Sequence, residues 1–185
     1  MLQRMKQGWR EMSTLRKIRR VFMLTLLAIG IWAITPYFYS RKVSEDFPTS
    51  QPQPAAAVQV TQPQTAGVAQ ALLRGSFTRV DVLHAAEGFA TIYKLSDGKL
   101  ALRFENFRST NGPDLFVGLS AHPQPRSRGE ALDQGYEEIQ MLKANEGDQN
   151  YDLPAGIDLS RFKSVVIYCR TFSLVFSSAE LTASS

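Results

Sequence analysis

The sequence has few of the side chains on which redox and metal centres usually depend: one cysteine and two histidines among 185 residues. A single cysteine cannot form a disulfide within the chain, and neither histidine has a metal-ligand partner at a recognised spacing. The C-x-x-C-H pattern of covalent haem attachment is missing, as are a serine nucleophile elbow, a phosphate-binding loop and paired carboxylates. These absences predict no metal site, and they leave no complete catalytic constellation of the kind that a stand-alone enzyme needs.

A net positive charge is found only in the N-terminal segment. The formal net charge is +4, but the first twenty residues carry seven Lys or Arg side chains against Glu11 alone. From Val68 to the end, twelve Lys or Arg face fourteen Asp or Glu. A nucleic-acid-binding domain needs its basic residues clustered on the domain itself. The distribution therefore argues against a nucleic-acid partner and sets residues 1–20 apart as a basic segment.

An uncharged apolar stretch follows over residues 21–39. As an α-helix it would be about 28 Å long, close to the hydrocarbon thickness of a bilayer. Trp32, Tyr37 and Tyr39 lie toward its far end, where aromatic rings favour the membrane interface. The excess of basic residues before the stretch predicts a single-pass transmembrane helix with a cytoplasmic N-terminus and a periplasmic or extracellular domain. The lipid bilayer is then a predicted partner.

A cleaved signal peptide is the alternative, and it needs small residues just after the apolar core. Here the core runs into Pro36 and aromatic residues, and the alanines at 55–57 lie too far downstream, so the sequence favours an uncleaved anchor. Residues 40–67 then scatter four prolines among Gln, Thr, Ser and Ala. Such a composition cannot bury enough apolar surface to fold, and predicts a flexible tether.

Residues 68–185 have the pattern of an all-β domain, mainly antiparallel, of sandwich or barrel type. Asp97-Gly98 between two alternating runs predicts a hairpin, because the turn needs positive φ. Asp158 is placed to cap a short helical turn. No segment has a long apolar period of 3.6 residues. Short strands are predicted over 74–80, 89–95, 99–104, 114–120, 138–142, 164–170 and 172–176.

The predicted strand 164–170 places Cys169 on one face with Val165 and Ile167. After it the apolar parity switches to Phe172, Leu174 and Phe176, which predicts a bulge or tight turn at Arg170-Thr171. An unpaired cysteine in an exported domain is a buried inert thiol, an intermolecular disulfide partner, a reactive thiol or a cofactor ligand. The residue pattern alone leaves these alternatives open.

Two further clusters have a functional and a plain interpretation. Cys169 and His84 have side chains suited to be the two axial ligands of a haem, although the sequence does not show that they lie together. Oxygen ligands alternate at Glu146, Asp148 and Asn150, with Asp152 close by, which is compatible with Ca²⁺. The full twelve-residue calcium loop is missing, so a solvated turn is the favoured interpretation.

Three stretches resemble one known family: Leu102–Phe107 with Asn111–Leu115, Leu142–Pro154, and Val165–Phe176 with Ala179–Leu181. Gly75, His84 and Gly88 also match. In this order they are similar to the electron-transfer DM-thirteen domain, over essentially the whole of residues 68–185. The resemblance implies a β-rich extracytoplasmic module whose characteristic cysteine, here Cys169, acts in redox as a bare thiol or by binding a group such as haem.

The resulting hypothesis is a membrane-tethered extracytoplasmic module in electron transfer or thiol redox, centred on Cys169. Its partner would be an unidentified redox or envelope protein. The alternative is a non-catalytic binding or envelope-organising β module in which Cys169 is structural.

Overall fold

The computed structural model describes Arg16 and residues 18–30, 40–48 and 69–184. The chain divides into two compact units, residues 1–39 and 40–185. In the first unit residues 18–30 are α-helical, and their large apolar side chains are 53–66% exposed. No helix within the described residues is both long and apolar enough to cross a membrane. The predicted span 21–39 continues past Gly30 into residues that lie outside the described part of the chain.

The second unit is a nearly closed, barrel-like sheet in which every pair of neighbouring strands is antiparallel. Its order is β5-β4-β7-β8-β1-β2-β3-β6, and β9 pairs with β1. The two edge strands approach each other where the Lys143 amide donates to the Tyr151 hydroxyl at 3.2 Å. The strands are β1 (Gln70–Arg79), β2 (Ala86–Lys94), β3 (Leu100–Ser109), β4 (Leu115–Ser120), β5 (Tyr136–Met141), β6 (Gln149–Asp152), β7 (Ser164–Cys169), β8 (Leu174–Glu180) and β9 (Thr182–Ala183).

The predicted all-β class is thus confirmed, in its barrel-like form. The Asp97-Gly98 hairpin is confirmed too: Gly98 has φ +83°, and the Lys99 carbonyl accepts the Leu95 amide at 2.9 Å. Asp158 caps the 3-10 helix Leu159–Arg161, as expected.

The parity switch after Cys169 is partly different from the prediction. A turn does occupy residues 170–173, but Phe172 and Leu174 are 61% and 41% exposed. Only Phe176 of the predicted even face is buried. The register shift lies further along, opposite Ile167 and Tyr168, where one extra residue of β8 turns Phe176 inward.

The barrel interior is filled by large side chains from nearly every strand. Phe104 of β3 is at its centre, with ring centroids 4.9 Å from Phe77, 4.9 Å from Phe107 and 5.1 Å from Tyr151. Cys169 belongs to the same buried cluster. Because the interior is packed with aromatic rings, it forms a solid core rather than a ligand cavity.

A short helix, Arg128–Leu132, covers the outer face of β7 and β8 through Ala131, which packs with Val166, Tyr168 and Val175. The sequence analysis did not predict it. Its signal is readable, however: Ser127 and Glu130 form a capping box, the S-x-x-E pattern that begins a helix.

Residues 40–48, the N-terminal strap, were expected to begin the tether, but they lie along the barrel. The Val43 amide donates to the Glu146 carbonyl and the Glu45 amide to the Asp148 carbonyl, each at 2.9 Å. The Glu146 amide in turn donates to Arg41 at 3.1 Å. This parallel pairing covers the edge beside β6, which would otherwise expose unpaired backbone groups. The rest of the predicted tether, 49–67, lies outside the described residues.

Arg103 ties the strap to the sheet. Its side chain is only 8% exposed and donates to the carbonyls of Glu45 and Asp46 at 3.2 and 3.3 Å. It also donates to Asn150 Oδ1 at 2.8 Å and Asp148 Oδ2 at 3.0 Å. The polar composition of the strap predicted a flexible segment. Instead, two of its backbone carbonyls accept hydrogen bonds from a buried arginine on β3.

Candidate functional site at the Cys169 end of the barrel

Three connections meet at one end of the barrel, called here the Cys169 end: residues 80–85, 110–114 and 170–173. The strand register brings them together, because Arg79 pairs with Ser177 and Leu115 with Cys169. Backbone hydrogen bonds join them: Thr110 donates to Ala85 at 2.9 Å, and Arg170 donates to Asp114 at 3.1 Å. Residues far apart in sequence therefore share one surface.

Cys169 is the last residue of β7 and points into the core, as its predicted face required. It is fully buried, and its thiol donates to the Pro113 carbonyl at 3.0 Å. Asp114, next in the loop, has φ +54°, which turns the chain sharply into β4. The loop of residues 111–114 therefore caps the sulfur.

Arg170, the charged neighbour of Cys169, points to the opposite face. Its guanidinium stacks 3.6 Å from the ring centre of Phe116 and pairs with Glu138. Its charge is thus engaged on the barrel exterior.

Phe176 connects this loop to His84. The ring of His84 lies edge-on to Phe176, with centroids 4.6 Å apart. A Cβ on Gly112 would stand 2.5 Å from Phe176 Cζ, so the loop approaches this closely only because residue 112 has no side chain. The sequence analysis placed Phe176 on the apolar face of a predicted strand and Gly112 in a stretch that resembles the family, but it did not predict that the two residues meet beside His84.

His84 is held by the turn that contains it. Its Nδ1 lies 2.7 Å from Asp81 Oδ2, and Asp81 Oδ1 accepts the amides of Leu83 and His84 at 2.7 and 2.8 Å. The side chain of His84 is 21% exposed. The hydrogen bond from His84, followed by those from the two amides, lowers the pKa of Asp81 from 3.8 to about 2.

Acid is expected to loosen this turn. Because the pKa of Asp81 is lowered on folding, its contribution to stability is complete above pH 4 and is lost as the pH falls through about 2. We expect the amide NMR signals of Leu83 and His84 to titrate together with a midpoint near pH 2. In Asp81→Asn this transition should be missing, and a midpoint at the ordinary value near 4 would contradict the assigned hydrogen bonds.

Cys169 and His84 are therefore brought to the same end, but each contacts other groups. No hydrogen bond joins them in the described part of the chain, and the Cys169 sulfur is already bonded to Pro113. A haem bound through this sulfur does not fit, because the macrocycle would have to displace both the capping loop and the packed core. The bare thiol fits the geometry. His122 lies at the opposite end, where its carbonyl accepts Ser164 Oγ at 2.7 Å.

The acidic segment at Glu146 to Asp152 is neither a solvated turn nor a calcium loop. It forms β6 and the residues leading into it, and the carboxylates of Glu146 and Asp148 face cations. Glu146 Oε1 lies 2.9 Å from Lys42 Nζ, and Asp148 pairs with Arg103. No group of three or more His, Cys, Asp or Glu in the described residues is arranged to hold a metal ion.

Comparison with known proteins gives one result. The family model described as electron transfer DM13 matches residues 76–181. This range includes His84, the capping loop and Cys169, but neither the N-terminal strap nor the first unit. No curated protein and no solved structure matches the chain significantly. Because the match covers more than half of the 185 residues, this chain belongs to the electron transfer DM13 family.

Proposed function

We propose that this protein is an electron-transfer module held at a membrane, with its β domain outside the cytoplasm and Cys169 as its redox group. The observation that carries the proposal is the position of the one cysteine. It lies at a barrel end beneath a single capping loop, inside the region that matches an electron-transfer family. The membrane part is supported by the basic N-terminal segment, the apolar stretch 21–39 and the exposed apolar side chains of residues 18–30.

The chemistry that a lone thiol offers is exchange with a partner's disulfide. The Cys169 sulfur, as a thiolate, attacks one sulfur of the partner, and the partner's S–S bond breaks as a mixed disulfide forms. The departing sulfur leaves as a thiolate and takes up the proton that Cys169 has lost. Cys169 is oxidised and the departing sulfur is reduced. The attack needs an exposed sulfur, so the loop of residues 111–114 has to move away first.

The second candidate is a non-catalytic binding or envelope-organising module in which Cys169 is core packing. It is favoured by the complete burial of the thiol, since buried free cysteines commonly act as small apolar residues. The two functions differ in how the sulfur becomes accessible. A redox thiol needs a local opening of its loop, whereas a structural thiol is exposed only when the whole barrel unfolds.

The rate of thiol exchange in the full chain distinguishes the redox function from the structural one. We expect glutathione disulfide to form a mixed disulfide with Cys169 in the native protein, at a rate that low denaturant concentrations leave unchanged, as for local opening. Mass spectrometry after acid quenching gives the rate. If modification occurs only at the global unfolding rate and accelerates with denaturant, the redox proposal fails and the structural one stands.

Gly112→Ala sharpens the measurement. The added Cβ would press on Phe176, and overpacking of this kind costs about 1–3 kcal/mol. If about 1.4 kcal/mol of that destabilises the closed loop, exchange at Cys169 should be about tenfold faster. The control is Leu153→Ala, which removes a buried side chain at the other end of the barrel. Equal acceleration in both variants would assign the effect to general destabilisation.

Orientation is tested separately. Protease added outside intact cells is expected to cut between Pro48 and Ala69, in the predicted Pro/Gln-rich tether. Full protection there, with cleavage after the cells are opened, would place the domain in the cytoplasm.

A further inference from the structure

The Cys169 end carries the most exposed apolar side chains of the domain. In the described part of residues 40–185, four large apolar residues are more than half exposed: Val82 at 84%, Leu83 at 71%, Phe172 at 61% and Met141 at 54%. Val82 and Leu83 lie in the connection 80–85, and Phe172 lies in the turn 170–173. Met141 belongs to the same end, because it pairs with Phe116 beside the start of β4. Such a concentration on one surface is typical of an interaction site.

The polypeptide also reaches the domain at this end. The Arg41 carbonyl accepts the amides of Asn145 and Glu146 at 3.0 and 3.1 Å. Asn145 Nδ2 donates to Ser109 Oγ at 3.3 Å, at the last residue of β3, and Ser109 pairs with Ala86 next to the connection 80–85. The strap therefore fixes residue 41 at the Cys169 end.

Chain length then limits the distance to the apolar stretch. The predicted apolar stretch ends at residue 39, directly before Ser40, which is the first residue of the strap. If residues 21–39 cross the bilayer as proposed, the membrane surface lies next to Ser40. Because the strap is bound to the barrel, residues 40–48 do not add to the distance between the barrel and the membrane, as they would in a flexible tether.

Charge at this end neither opposes nor dominates contact with lipid. Lys42 and Arg108 are 71% and 69% exposed and share Glu146, while the exposed guanidinium of Arg170 faces Glu138. Asp81 is paired with His84. Because Lys42 and Arg108 share one carboxylate, these pairs leave one cation in excess, which does not oppose contact with lipid headgroups, and the exposed apolar side chains favour the membrane interface over water.

We propose that the Cys169 end rests on the bilayer surface, with Val82, Leu83 and Phe172 inserted at the interface. This inference rests on the proposed membrane anchoring. The occupant is lipid rather than a protein partner, because the short connection holds this end beside the membrane at a high effective concentration. The thiol of Cys169 then faces the membrane, so an exchange partner has to approach it along the membrane surface.

Tryptophan quenching by bromine on the lipid acyl chains tests this in the full chain reconstituted in vesicles. Phe172→Trp and Leu83→Trp, each with Trp9→Phe and Trp32→Phe, are compared with a matched variant, Ala155→Trp. Ala155 lies in the exposed turn at the opposite end of the barrel, after β6. A fourth protein with Trp9→Phe alone keeps Trp32 as a reporter of the anchor itself.

We expect Trp32 and both tryptophans at the Cys169 end to be blue-shifted and to lose most of their emission, while the tryptophan at position 155 stays bright. Quenching of Trp32 without quenching at positions 83 and 172 overturns this inference and leaves the anchor standing. That result would fit an apolar surface at the Cys169 end that binds a protein partner instead of lipid. Equal quenching at both ends also overturns it. An unquenched Trp32 overturns both proposals.

Discussion

Replacing Arg103 with leucine is expected to lower the free energy of unfolding by about 3 kcal/mol. Removing one member of a buried ion pair typically costs about 3–5 kcal/mol, because the remaining charge stays unpaired. The lower end applies here, since Asp148 and Glu105 keep 34% and 25% of their side chains exposed and can be hydrated. Denaturant unfolding of the full chain, followed by near-ultraviolet circular dichroism, gives the value.

The strap supplies a second measurement for the same variant. Without the guanidinium, the Glu45 carbonyl loses its Arg103 donor and the Asp46 carbonyl keeps only Asn150 Nδ2, so the amides of Val43 and Glu45 should exchange with deuterium much faster. Arg74→Leu is the matched control, because Arg74 also pairs with Glu105, at 3.7 Å, but is 43% exposed. Exposed pairs contribute about 0–1 kcal/mol. If the two variants lose equal stability, Arg103 does not hold the strap in place.

Replacing Phe104 with alanine is expected to cost about 3–5 kcal/mol, the usual range for deleting a fully buried phenylalanine. Phe104 is 0% exposed and contacts three aromatic rings from β1, β3 and β6, so the barrel is unable to close the cavity by moving one strand. Calorimetry or denaturant unfolding measures the loss.

Phe89→Ala is the control for this second variant. Phe89 is the same residue type on the neighbouring strand β2, but it is 36% exposed and stacks under Arg74. Phe89→Ala should lower the free energy of unfolding by well under half as much as Phe104→Ala does. A similar cost for both variants would mean that the interior repacks freely, contrary to the dense aromatic core described above.

Local patterns were sufficient where one face of a strand is apolar and the other polar. Leu100, Leu102 and Phe104 alternate in this way, and Asp97-Gly98 marks the turn before them, so β3 and its hairpin were predictable. The inward direction of Cys169 followed from Val165 and Ile167 in the same manner. Period-two alternation is decided by the residues themselves and needs no knowledge of distant contacts.

β6 was missed because three of its four residues, Gln149, Asn150 and Asp152, are strongly polar and occupy both faces of the strand. Gln149 is fully buried, yet its side-chain amide is satisfied by both backbone groups of Ala144 and by the Tyr151 hydroxyl. A polar residue with all its hydrogen bonds made is stable in a core, but its partners are visible only in the fold. The strap was missed for the same reason, since its donors and acceptors pair with residues about one hundred positions away.

The candidate site was predictable only in part. Cys169 and His84 stood out because each residue type is rare in the chain. The register of β4, β7 and β8 decides the rest of the site. It brings Phe176 next to His84 and Gly112, and it places Pro113 over the sulfur. Strand register is a property of the closed sheet, so this part of the site required the structure.

The strap has a mechanical consequence in the proposed anchored state. A pull from the membrane at Ser40 runs along the strap, parallel to the residues it pairs with, so its hydrogen bonds are loaded in shear and share the force. They are loaded before any bond inside the barrel. If they gave way, the twenty residues between Pro48 and Ala69 would come under load, and they span at most about 70 Å. In this anchored state, pairing of the strap would therefore keep the domain close to the membrane, and its release would allow the domain to move further away.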